Sequence, residues 1–171
     1  MGSWVKRSSV AIALGAMACG GGVATAPAGV SAGDGSEAPL WEFTSLDARP
    51  VSSAAFVGKP VALVFVTTYD PISQQQLNYD FPLVDEFPNV AFVLVALQDA
   101  QARELVELYR DAMKVKFPVA LADEATIAGG GTLGDVHHVP ATVLIGRDGK
   151  IAWRHDSGVM PAEMREHLKK L

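Results

Sequence analysis

The sequence predicts an α/β fold, a central mixed β-sheet flanked by helices, and three observations carry that expectation. Val61 to Thr67 and Val90 to Leu97 are continuous apolar, β-branched runs, the pattern of strands buried on both faces. The stretches that follow each run carry helical signals, which makes them crossovers between neighbouring strands. Thr142 to Ile145 and Ile151 to Trp153 then flank Arg147-Asp148-Gly149-Lys150, and an Asp-Gly pair between two apolar runs is a strong hairpin signal.

The remaining elements follow in order. Trp41 to Leu46 alternates weakly and reads as a first short strand, and Asp47-Ala48-Arg49-Pro50 reads as a turn. A helix should start at Asp70-Pro71, because Asp is a good N-cap and Pro is favoured at the first helical position. Pro82 should kink or end that helix. Ala100 to Met113 carries Leu105, Leu108, Tyr109 and Ala112 at helical spacing. Phe117 to Ala122 is a further strand candidate, and Pro161 to Leu171 a closing amphipathic helix. The order is β-β-α-β-α-β-β-β-α. At 171 residues the chain is long enough for one domain with a proper core, placed at residues 39–171.

Charge and cysteine usage narrow the function. The formal net charge is −5 and the basic residues are scattered, which argues against a nucleic-acid surface. The single cysteine, Cys19, cannot make an internal disulfide. It follows a short basic region (Lys6, Arg7), an apolar run from Val10 to Met17 too short to span a membrane, and small residues. That is the layout of an export signal, and Ala16-Met17-Ala18-Cys19 resembles a bacterial lipobox. The resemblance implies cleavage after residue 18 and a lipid on Cys19, holding the protein to a bacterial membrane on its periplasmic or outer side. The alternative is an ordinary secretory signal that happens to contain Cys19. Residues 19–38 are mostly Gly, Ala, Ser and Pro and read as a flexible linker.

Three segments of the domain carry a resemblance to a known family. They are Gly58-Lys59-Pro60-Val61-Ala62-Leu63-Val64-Phe65, Val139-Pro140-Ala141-Thr142-Val143-Leu144-Ile145 and Gly146-Arg147-Asp148-Gly149-Lys150-Ile151. In this order they resemble the thioredoxin fold, and more narrowly the TlpA-type redoxins of the bacterial envelope, over roughly Leu40 to Leu171. The resemblance implies a cis peptide at Val139-Pro140 beside the active site, where Val139 would present its backbone to an extended peptide. It also implies W-C-x-x-C after the first buried strand. Here Tyr69 takes the aromatic position, and Asp70 and Ser73 take the two cysteine positions. Thiol exchange needs a thiolate, and peroxidase chemistry needs a cysteine that can be oxidised and recycled, so neither role carries over. Asp70 reads instead as a carboxylate stabilised by the helix N-terminus.

Other features are weaker. Gly129 to Gly134 spells G-x-G-x-x-G, but Pro140 follows too soon for the helix a dinucleotide site needs, so it reads as a flexible connector. His137 and His138 should lie near Asp70, and two imidazoles with a carboxylate can bind a metal. They read first as surface histidines, with no cofactor assigned. Gln74-Gln75-Gln76 reads as a polar helix face. Tyr69, Ile72 and Phe81 read either as an apolar collar around the old active site or as core. Ser73 has no His–Asp partners by pattern.

The expectation is therefore a redox-inactive, lipid-anchored envelope protein that binds a protein or peptide without catalysis. The binding face is Tyr69, Asp70, Pro71, Ile72, Ser73, Val139 and Pro140. The rivals are a redoxin that works with a partner's cysteines, and a copper carrier using His137, His138 and Asp70.

Overall fold

The computed structural model describes residues 30–32, 40–47 and 49–171. Its strands are β1 (Val30–Ala32), β2 (Glu42–Ser45), β3 (Val51–Ser52), β4 (Val61–Val66), β5 (Ala91–Ala96), β6 (Val119–Leu121), β7 (Ala141–Ile145) and β8 (Ile151–His155). Its helices are α1 (Pro71–Glu86), α2 (Arg103–Met113), α3 (Glu124–Ile127) and α4 (Pro161–Leu168). The strands form one mixed sheet in the order β1-β8-β7-β4-β5-β6-β2-β3. β4, β5 and β6 are parallel, while β7 runs antiparallel to β4 and β8 antiparallel to β7. The α1 and α2 crossovers link the parallel strands, as their apolar, β-branched sequences require.

Alternate residues of β4 feed two apolar layers. Ala62, Val64 and Val66 join Leu94, Leu144 and Trp153 beneath Leu77 and Leu83 of α1, Val106 of α2 and Met164 of α4. Leu63 and Phe65 join Val93 and Val143 on the other side, where Trp41, Phe43, Leu133 and Val136 cover the sheet. Phe65 and Phe43 meet edge to face at 6.0 Å.

Four expectations change. α1 does not end at Pro82 but continues to Glu86. Pro82 faces solvent, where a bent helix is convex, while Leu77 and Leu83 on either side of it are fully buried. In α2 the inward stripe is Val106 and Tyr109, with Met113 packed against it, whereas Leu105, Leu108 and Ala112 face outward. Of the four expected apolar positions there, three face solvent and Tyr109 lies on the inward stripe.

Val30–Ala32, placed by composition in the linker, pairs antiparallel with β8, Val30 opposite His155 and Ala32 opposite Trp153. An edge strand offers free backbone donors and acceptors, and pairing with it needs no apolar periodicity. The connector at Gly129 to Gly134 is tied down by Arg154, which donates to the carbonyls of Leu133 (2.8 Å) and Asp135 and to Asp156 Oδ1 (2.9 Å). Gly134 sits at φ +87°, and a Cβ there would fall 2.7 Å from Arg154 Nη1, so the glycine admits the strap. The readings that concern residues 1–29 and 33–39, including the export signal and Cys19, lie outside the described residues.

Candidate functional site

β4 ends at Val66 and delivers Thr67 to Asp70 to the N-terminus of α1. Asp70 caps that helix. Its Oδ1 accepts from the Ile72 amide (3.3 Å) and its Oδ2 from the Ser73 amide (2.7 Å) and the Ser73 hydroxyl (2.7 Å). Ser73 is fully buried, and its Oγ in turn accepts the Thr67 amide at 3.4 Å. Partial burial alone would push the Asp70 carboxyl up, but the Ser73 hydroxyl and the Ser73 and Ile72 amides outweigh it and hold the carboxyl below its ordinary value. Asp70 and Ser73 thus form a closed hydrogen-bonded unit around one carboxylate.

Around that unit, Tyr69 is 75% exposed and Ile72 55% exposed. Phe81 does not join them; it packs into the core, its ring tilted against Phe117 at 6.3 Å. The Val139–Pro140 peptide is cis. Gly158, between β8 and α4, marks where the pieces converge. A Cβ there would lie 3.4 Å from Ile72 Cγ2 and 3.9 Å from both Gln76 Oε1 and Pro140 Cγ. A groove of about 330 Å³ runs beside this point, lined by Ile72, Gln75, Tyr79, Val159 and Met160 among others.

The structure adds residues that the sequence did not single out. Gln76 is not on a polar face; it is buried, its Oε1 accepting the Val159 amide (2.7 Å) and its Nε2 donating to Asp80 Oδ1 (2.9 Å). Asp80 is also fully buried, and its Oδ2 has no protein partner. Burial pushes its carboxyl up to about 7, against a smaller downward pull from the Gln76 amide. The signal was available in the spacing: Ser73, Gln76, Leu77, Asp80 and Leu83 recur every three or four residues, which is the inward stripe of a helix. On the far side of the groove Ser157 Oγ lies 2.7 Å from His155 Nε2. His155 Nδ1 is buried without a partner, so no carboxylate orients the ring as a serine nucleophile's base would need.

His137 and His138 are not brought together with Asp70. His137 Nε2 lies 3.7 Å from Asp135 Oδ2 at the surface, its ring packed over Gly129. Among the described residues no three His, Cys, Asp or Glu side chains converge as a metal site. No helix there is long and apolar enough to cross a membrane.

Comparison with known proteins places this geometry. The AhpC/TSA family profile matches residues 35–154. No curated protein matches the chain. Among solved structures, a thiol:disulfide interchange protein of the thioredoxin family from Chlorobium tepidum superposes with a TM-score of 0.67 at 20% identity, covering 78% of this chain and 94% of that one. A DsbF homologue from Corynebacterium diphtheriae gives a TM-score of 0.69 at 15% identity, covering 81% and 89%. A secreted Mycobacterium tuberculosis disulfide oxidoreductase homologous to E. coli DsbE gives 0.63 at 20% identity, covering 77% and 96%. At these identities the likeness is one of fold, and the fold is thioredoxin-like.

Proposed function

From the premise that the chain belongs to the AhpC/TSA family, we propose that it is a redox-inactive member, a lipoprotein of the bacterial cell envelope that binds a protein or peptide without catalysis. The observation that carries the reading is the Asp70–Ser73 unit. Both carboxylate oxygens and the serine hydroxyl are engaged with one another and with the Thr67, Ile72 and Ser73 amides. A helix N-terminus that would stabilise a thiolate here stabilises a fixed carboxylate. With Cys19 the chain's one cysteine, no pair of sulfurs is available to exchange.

The binding face keeps the parts that recognition needs. Tyr69 and Ile72 are exposed at the start of α1, Gly158 lies between Ile72 and Pro140, and the groove behind Ile72 and Met160 is open. An extended peptide would gain backbone hydrogen bonds at Val139 and a side-chain contact in the groove. Export is supported by the basic and apolar residues ahead of Cys19 and by the secreted character of the M. tuberculosis relative.

The test has three arms. Insulin reduction by the purified protein with thiol donors should stay at background, and turnover above it would return the protein to the oxidoreductases. Crosslinking in cells should capture a partner that is lost in an Asp70→Arg/Val139→Asp variant; a partner retained by that variant would move the interface elsewhere. Lipid labelling that disappears in Cys19→Ser would establish the anchor.

A further inference from the structure

The end of the sheet opposite Asp70 carries a second cleft. Val61 opens β4 there and pairs with Ile145, the last residue of β7, and both line a cavity of about 340 Å³. That is within the range of small-molecule sites. Its wall is already built. Trp41 stacks on Phe43 at 5.6 Å and on Phe56 at 6.1 Å. The Trp41 amide donates to Ser53 Oγ (3.4 Å) and the Ser53 amide donates to the Trp41 carbonyl (2.9 Å), which fixes the wall to the loop after β3. Leu40 and Val57 stand at the rim, 83% and 81% exposed.

Two cations share the cleft. Lys59 and Arg147 both line it, and neither makes an ion pair among the described residues, in a chain whose formal charge is −5. Among the described residues the one acidic side chain in the lining, Asp148, has its Oδ1 engaged by the Lys150 amide at 3.1 Å, closing the hairpin turn. The cleft therefore offers an apolar wall and an excess of positive charge at its edge.

We propose that this cleft binds a small amphiphilic anion, an aliphatic chain or ring bearing a single carboxylate or sulfonate. The apolar body lies on Phe56, Val57 and Ile145, and the acid group meets Lys59 and Arg147. Charge complementarity selects the anion over a neutral or cationic molecule of the same length. This site shares no lining residue with the Asp70 face.

The test is titration calorimetry at low ionic strength, with the full chain carrying Cys19→Ser so that no acyl group competes. Octanoate is compared with octanol, with octyltrimethylammonium and with phosphatidylglycerol vesicles. Octanoate should bind saturably with a stoichiometry of one and more tightly than the other two small molecules. Lys59→Gln/Arg147→Gln should weaken octanoate about tenfold, the worth of two exposed charge contacts, and leave octanol unchanged. Val57→Ser, which removes apolar surface at the rim without adding charge, should weaken octanoate and octanol alike. Equal binding of octanoate and octanol, octanoate affinity unaltered in the glutamine variant, no octanoate binding, or binding to vesicles only would each overturn the proposal.

Discussion

Replacing Asp80 with asparagine is expected to stabilise the protein above pH 7 and to leave its stability unchanged below pH 4. Asp80 is fully buried on the inner face of α1, and one of its two oxygens has no partner. Its folded-state carboxyl titrates at about 7 against an ordinary 3.8. Between those values the folded protein keeps a proton that the unfolded chain has released. Stability therefore falls as pH rises through that window and levels off above about 7. At 1.36 kcal/mol per pH unit, a separation of roughly 3 units amounts to about 4 kcal/mol. That is a large share of the ~5–15 kcal/mol by which a domain of this size is stable. Asparagine preserves the shape and the Gln76 Nε2 contact to the side-chain oxygen but cannot ionise. Urea denaturation of both proteins from pH 4 to pH 9 isolates the effect, because every other titrating group cancels in the difference. A gap that opens between pH 4 and 7 and then stays constant is the expected result. A gap of the same size at pH 4 and pH 8 would refute the argument, since it would mean that Asp80 is ionised in the folded state throughout.

The other predictions concern the cap and α1. Asp70→Ala removes the acceptor for two amides and a buried hydroxyl and should cost about 1–2 kcal/mol at pH 7. Because the folded carboxyl titrates below its ordinary value, that cost should shrink as pH falls through the folded pKa, which denaturation at pH 2 and pH 7 will check. Pro82→Ala restores an amide donor inside α1 on its solvent side and should raise the urea midpoint, by up to about 3 kcal/mol of stability. Leu144→Ala, at a fully buried position between β4 and β8, should cost about 2–5 kcal/mol in the same assay. Asp70→Cys/Ser73→Cys should yield a thiol at the α1 N-terminus titrating below the usual ~8.5, measured by thiolate absorbance, if the helix terminus retains the field assigned to it.

Much of the fold was legible because strands buried on both faces are written as unbroken apolar runs. Val61 to Val66 and Ala91 to Ala96 contain no polar residue, and among the other described elements only the three-residue β6 shares that. The start of α1 was equally legible, since Asp-Pro satisfies two local requirements at once. What was hidden depended on partners distant in sequence. Gln76 is a polar residue in a polar tract until the Val159 amide, 83 residues away, donates to its Oε1. The pairing of Val30–Ala32 with β8 is made by backbone alone and leaves no side-chain pattern to read. In α2, Leu105 and Leu108 outscore Val106 on hydrophobic bulk, but packing is decided by which stripe meets the sheet. The two histidines were placed by analogy near Asp70, and the first of them lies at the surface beside Asp135 instead.

The docking of Val30–Ala32 onto β8 also sets a leash length. With the lipid proposed at Cys19, the chain leaves the sheet's edge only eleven residues after the anchor begins, at residues 19–29. Fully extended, at no more than ~3.6 Å per residue, that span reaches about 40 Å. The domain would patrol a thin layer next to the bilayer rather than the whole compartment. A partner held in the same membrane would meet it at a high effective concentration, while a freely diffusing one would have to enter that layer first. Even a weak contact on the Tyr69 face would then suffice for a membrane-resident partner.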